Sequence, residues 1–281
     1  MANIIDGKLV SETLRTQISE EVAILKKQGI APGLAVILVG NNPASAVYVR
    51  NKERACVQTG ITPTQITLPE ETTEEELIEL IENLNKDDKI HGILVQLPLP
   101  KHISEKKVIE TITSSKDVDA FSHDSVGRIM TGEYSFLPCT PAGIMELLKF
   151  YDIEVAGKEC VVVGRSNIVG KPMAMLLLNS NGTVTVCHSK TNNLAEVCKR
   201  ADIIVCAVGR AKFLTADMVK DGAVVIDVGI NRDENGKIVG DVDFDNIVEK
   251  ASFITPVPGG VGPMTITMLL KNTITAAKNT K

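Results

Sequence analysis

Short runs of aliphatic and β-branched residues alternate with segments of helical spacing along most of the 281-residue chain. Leu14, Ile18, Val22 and Leu25 recur at three- and four-residue intervals and predict a helix over 9–29, with Gly29 as its terminator. The unbroken apolar run Leu34–Val39 predicts a buried strand, and Pro43 then opens a helix that reaches Thr59, with Gly60 at its end. Strands follow over 61–68 and 92–96, and helices over 73–85 and 104–112. From Ser114 to Pro141 the periodicity weakens and turn residues gather, which reads as a loop-rich connection between domains. A second series begins at Thr140-Pro141, with helices over 140–151, 171–178 and 194–200 and strands over 160–164, 183–187, 202–208, 223–228 and 253–256. The tail from Thr265 reads as a packing helix with Met268, Leu269 and Ile274 on one side.

This order predicts two α/β domains flanking a cleft, the second a Rossmann-type doubly wound parallel sheet. The expected boundaries are 1–139, 140–264 and 265–281, the last being a helix that returns to the first domain.

Composition narrows the function. A net charge of −5 lacks the basic excess that binding to nucleic-acid phosphates requires. Aromatics at 3%, with no Trp, leave little for base stacking. No apolar run approaches the length of a bilayer span, and the first residues show no secretory signal. Six dispersed cysteines with no CxxC pair read as reduced thiols in a cytoplasmic protein. Cys187 and His188, with Cys198 and Cys206 nearby, have no regular ligand spacing, so no metal is expected.

Between a strand and a helix stands Gly164-Arg165-Ser166, with Gly170 six residues after the first glycine. Such a turn lets backbone amides approach a pyrophosphate at a helix N-terminus, although a strand–helix connection can need glycine for its own sake. The next strand ends Cys187-His188-Ser189-Lys190, with no carboxylate to take a ribose 2′-hydroxyl. Arg165 with the Ser189 hydroxyl suits a 2′-phosphate, so NADP is expected over NAD. The alternative for Arg165 is a solvated surface side chain.

Ser45, Tyr48 and Lys52 share one helix face. Against a cleft, Tyr48 and Lys52 form an acid–base pair; otherwise they form a solvated stripe. Gln96 stands at the C-terminal end of a strand, where ligands of open α/β sheets collect. Asp117 and Asp119 are either turn residues or a carboxylate able to hold an amidine-like edge. The Pro- and Gly-rich run Pro256–Thr265, including Pro258, Gly259 and Gly260, suits a place where backbone meets a ligand.

Taken in order, Tyr48-Val-Arg-Asn-Lys52, Val95–Pro100, Lys116-Asp-Val-Asp119, Pro138-Cys-Thr-Pro141, Val163–Pro172 and Pro256–Thr265 resemble the bifunctional methylenetetrahydrofolate dehydrogenase/methenyltetrahydrofolate cyclohydrolase family. The resemblance spans nearly the whole chain. It implies NADP-dependent oxidation of 5,10-methylenetetrahydrofolate and hydrolysis of the methenyl product to 10-formyltetrahydrofolate, by a homodimer. It implies a folate-binding catalytic domain first and an NADP-binding domain second. Lys52 matches the family's catalytic lysine, Tyr48 the tyrosine along the folate, Gln96 the glutamine bonded to the lysine, and Asp119 the acid holding the pterin amino group. Gly164, Arg165, Ser166 and Ser189 match cofactor positions, as does Ile230 beside Gly229. The family often has Gly after Asp119, whereas this chain has Ala120; if that position needs positive φ, the Asp119 loop is displaced.

A methenyl cation repels an ammonium, so the lysine is most useful when partly neutral. Burial lowers its pKa and a Gln partner adds no charge to raise it. Two rival readings are a shikimate-dehydrogenase-like NADP enzyme and a non-catalytic NADP-sensing module. The Pro256–Thr265 motif speaks against the first, and Lys52, Gln96 and Asp119 together against the second.

Overall fold

The computed structural model describes residues 1–280, without the side chain of Ala44. The chain opens on a two-residue strand, β1 (Asn3–Ile4), and helix α1 (Gly7–Lys27). Lys26 and Lys27 stand at the negative end of the α1 macrodipole, and Gly29 turns the chain out at φ +84°. There follow β2 (Gly33–Val39), α2 (Pro43–Thr59), β3 (Thr62–Leu68), α3 (Glu74–Lys86), β4 (Gly92–Val95), α4 (Glu105–Thr111) and α5 (His123–Thr131). A capping box starts α3: Glu76 N donates to Thr73 Oγ1 at 3.2 Å while Thr73 N donates to Glu76 Oε2 at 2.8 Å.

The second half contains α6 (Cys139–Phe150), β5 (Glu159–Val163), α7 (Gly170–Asn179), β6 (Thr183–Cys187), α8 (Leu194–Lys199), β7 (Ile203–Cys206), β8 (Val224–Asp227), the hairpin β9 (Asn231–Arg232) and β10 (Ile238–Val239), α9 (Phe244–Ile247), β11 (Phe253–Ile254) and α10 (Val261–Lys278). Among the described residues, no helix is long and apolar enough to cross a membrane.

The chain divides into two compact units, one of residues Thr13–Cys139 with Ile266–Lys281, the other of Met1–Glu12 with Thr140–Thr265. In the first, β3, β2 and β4 form a parallel sheet in that order, with every residue of β2 and β4 buried. Ala35, Ile37, Val39, Ile93 and Val95 on one face pack with Leu77, Ile81 and Leu84 of α3 and Val108 of α4. In the second, six parallel strands run in the order β1-β11-β8-β7-β5-β6. The order reverses between β5 and β7, the place at which doubly wound sheets take ligands beyond their C-terminal strand ends.

Three features differ from expectation. Residues 1–12 group with 140–265, not with 13–139, because β1 pairs with β11, a partner some 250 positions away. The stretch 114–139 belongs to the body of its unit: Asp117 bridges Ile93, and Val118, Ala120, Ile129, Phe136 and Cys139 are buried. It reads as loop because α5 has nine residues, of which only Ser125 and Ile129 are buried. Helix α10 starts at Val261, with Pro263 in its first turn, where the missing N–H has no intrahelical partner to lose.

Candidate active site

Helix α2 buries Ser45, Val49, Lys52 and Cys56 along one stripe, so Lys52 does not belong to a solvated face. Tyr48 stands one turn before it and is 39% exposed. Lys52 Nζ donates to Gln96 Oε1 at 2.9 Å. Gln96 directly follows β4, and its N–H donates to Ile37 O at 2.8 Å, which ties it to the end of β2. Its own amide nitrogen donates to Leu97 O at 2.8 Å, so the carbonyl oxygen is the end presented to Lys52. Burial lowers the Lys52 pKa, outweighing the opposite pull of Asp119, Cys139 and Cys56.

Asp117 and Asp119 part company. Asp117 accepts from Phe121 N at 3.3 Å, Ser122 N at 2.9 Å and Ser125 Oγ at 2.8 Å, so it organises the entry to α5. Lys116 donates to Leu84 O at 3.0 Å and Asp87 O at 2.8 Å, satisfying carbonyls at the end of α3. Asp119 stands near Lys52 instead. Burial raises its carboxyl pKa, and the Lys52 charge pulls it back down. Cys139 Sγ donates toward Asp119 Oδ1 and Val118 O, both at 3.5 Å.

Ala120 takes φ +56° in the buried core, so this position does call for the left-handed region and alanine occupies it. A residue that the sequence reading missed supports the loop. Asn272, on α10, donates to Val118 O and Leu137 O at 2.8 Å each, and lies 3.8 Å from Cys139 Sγ. The available signal was a lone amide in the apolar register of that helix.

The nucleotide candidates sit in the other unit. Gly164 has φ +132°, and a Cβ there would collide with the carbonyl oxygen of Ala207. Gly170 similarly leaves no room for a Cβ against the Gly164 carbonyl. Ser166 Oγ accepts from Val169 N and Gly170 N, both at 3.2 Å, and so caps the start of α7. Arg165 and Ser189 are exposed, and each lies two residues beyond paired positions of adjacent strands, Val163 and Cys187. Ile230, 53% exposed, follows β8 at the same C-terminal edge. This bare backbone turn, an exposed arginine beside it and the absence of a carboxylate at 187–190 fit a dinucleotide with a 2′-phosphate.

Pro258, Gly259 and Gly260 lie between β11 and α10. Gly259 has φ +108° and its carbonyl accepts from Lys8 N at 3.2 Å, and Gly260 N donates to Pro256 O at 2.9 Å. Gly7 and Gly260 meet with no space for a side chain, so this loop packs backbone to backbone on the start of α1. All six cysteines are free and buried. Among the described residues, no cluster of His, Cys, Asp and Glu could hold a metal ion.

Comparison with known proteins places both parts of the chain in one family. The model of the tetrahydrofolate dehydrogenase/cyclohydrolase catalytic domain matches residues 5–119, and that of the NAD(P)-binding domain of the same family matches residues 138–281. A bifunctional protein FolD from Acetivibrio thermocellus is 64% identical over 277 residues, which cover 99% of this chain and 97% of that protein. The crystal structure of the bifunctional enzyme FolD from Campylobacter jejuni superposes with a TM-score of 0.98 at 53% identity over 100% of both chains. That of the Trypanosoma brucei enzyme, complexed with NADP cofactor and inhibitor, gives 0.95 at 40% identity, covering 99% of this chain and 98% of that one. With both halves matched in order over nearly its full length, the chain belongs to the tetrahydrofolate dehydrogenase/cyclohydrolase family.

Proposed function

We propose that the protein oxidises 5,10-methylenetetrahydrofolate with NADP and then hydrolyses the 5,10-methenyl product to 10-formyltetrahydrofolate. The observation that carries this reading is the buried Lys52, hydrogen-bonded to an uncharged amide at 2.9 Å. Burial holds the Lys52 pKa below the ordinary lysine value, which favours the free amine that can take a proton.

Asp119 takes the amino edge of the pterin, for which a carboxylate is a bidentate acceptor. Tyr48 lies along the folate, and Gln96 fixes the direction of the Lys52 amine. Arg165 and Ser189 hold the 2′-phosphate, while the Gly164–Ser166 turn approaches the pyrophosphate with backbone N–H groups. Ile230 contacts the cofactor, and Pro258, Gly259 and Gly260 offer backbone to the substrate. Bound NADP supplies the hydride acceptor. In the hydrolytic half, water attacks the methenyl carbon while Lys52 takes its proton. The added hydroxyl then gives up its proton as its oxygen becomes the formyl carbonyl, the bond from that carbon to N5 breaks, N5 takes up a proton, and the formyl group stays on N10. The setting is the cytoplasm and the working form a homodimer, with neither nucleic acid nor membrane as partner.

A spectrophotometric assay with methylenetetrahydrofolate and NADP tests the reading. Lys52→Met keeps chain length and helix propensity but removes the proton carrier. Hydrolysis should fall by about 10²–10⁴-fold, the usual worth of a general acid–base group, with oxidation falling less. Methenyltetrahydrofolate should then accumulate and be seen by absorbance. A folded Lys52→Met protein that hydrolyses at the wild-type rate removes Lys52 from the mechanism.

A further inference from the structure

Two aspartates assigned no role above, Asp227 and Asp241, are both buried. Asp241 Oδ2 accepts from Val208 N at 2.6 Å and Gly209 N at 2.9 Å, and its Oδ1 accepts from Arg210 N at 2.9 Å and Asn231 Nδ2 at 2.8 Å. Asp227 Oδ1 accepts from Gly229 N at 2.9 Å and Asp241 N at 2.8 Å, and its Oδ2 accepts from Val242 N at 3.0 Å. Asp227 thus holds the backbone of Asp241, and Asp241 holds the loop after β7. Between them they grip both neighbours of Ile230, through Gly229 N and the Asn231 side chain. The approach is so close that a Cβ on Gly229 would strike the Asp241 carboxylate, and one on Gly240 the Asp227 carboxylate.

The gripped segments share one edge of the sheet. Cys206, Asp227 and Val163 are paired neighbours at the ends of β7, β8 and β5. Ala207, the residue against which Gly164 packs, immediately precedes the amides held by Asp241. Successive N–H groups converging on a buried carboxylate fix loop backbone more tightly than exposed turns can, because an unpaired buried donor is costly.

We propose that Asp227 and Asp241 are positioning residues that set the 207–210 and 229–231 loops of the NADP site, an inference that rests on the nucleotide reading above. Neither needs to touch the cofactor.

The test separates two activities of the same protein. Asp241→Asn keeps the shape but turns one acceptor into a donor facing backbone N–H groups. KM and Kd for NADP should rise roughly tenfold or more, as loss of one or two charge-assisted bonds predicts. Hydrolysis of supplied methenyltetrahydrofolate, which consumes no NADP, should stay within about twofold. Should Asp241→Asn fail to fold, Asn231→Ala removes a single donor beside Ile230 and should weaken NADP by a few-fold with hydrolysis intact. A folded variant with wild-type NADP affinity, or one losing both activities equally, overturns the positioning role. A wild-type protein that does not bind NADP overturns the nucleotide reading and this inference with it.

Discussion

Lys52 Nζ lies 2.9 Å from Gln96 Oε1, and the Gln96 amide nitrogen is already committed to Leu97 O. The lysine is therefore oriented by a neutral acceptor, and burial keeps its pKa down. Gln96→Glu replaces that acceptor with a charge and should raise the Lys52 pKa. With the free amine as the proposed working form, the rising limb of the hydrolysis rate should move to higher pH. On that limb the rate at a fixed pH should drop about tenfold for every pH unit the limb is displaced. A pH–rate profile superimposable on that of the wild type would show that Gln96 does not tune the lysine.

Arg165 stands exposed beside the Gly164 turn, at the edge reached also by Ser189. Arg165→Ala should weaken NADP binding by roughly 1.5–3 kcal/mol, the range for a hydrogen bond to a charged group, and NAD binding much less. Titration of both nucleotides decides it: equal losses would mean that Arg165 does not read the 2′-phosphate.

Ala120 carries φ +56° next to Asp119. Glycine would relieve the backbone but lose a buried methyl and a stiffer unfolded chain, effects of about 1 kcal/mol that oppose each other. Ala120→Gly should therefore change stability by less than about 1 kcal/mol and leave folate KM unchanged. Ala120→Val, β-branched in the left-handed region, should cost about 2 kcal/mol or more. Asp119→Asn should lower folate affinity while sparing NADP. Markedly tighter folate binding by Ala120→Gly would show that the alanine holds Asp119 off its best position.

His91 is buried, and its Nδ1 accepts from Gly33 N at 3.1 Å between β2 and β4. Burial lowers its pKa below the ordinary 6.5, with Lys116 adding to the effect. The unfolded chain thus binds a proton near pH 6.5 that the folded one refuses, so stability should fall as pH drops below 6.5 and level off once the folded pKa is passed. His91→Asn offers an acceptor that does not titrate. Urea midpoints between about pH 5 and 7.5 should show a shallower acid slope for His91→Asn; an unchanged slope would place the acid sensitivity elsewhere.

Sequence alone determined what depends on local chemistry. Gly29 and Gly60 end helices at positive φ, Pro43 begins one, and the apolar run 34–39 is a fully buried strand, because each signal acts within a few residues. The strand–glycine–helix turn at 164–170 was legible for the same reason. The ordered motifs pointed to the family without showing how Lys52 and Gln96 meet across 44 positions. Tertiary structure decided what depends on distant partners. A two-residue β1 has no pattern of its own and becomes a strand only against β11. Of two similar carboxylates, Asp117 is consumed by the start of α5 and Asp119 is left near Lys52, a choice made by backbone geometry rather than by residue type. Asn272 is marked locally only as a lone amide on the last helix, and Asp241 after a hairpin by nothing, because a buried polar side chain acquires meaning only from the N–H and C=O groups that the fold brings to it.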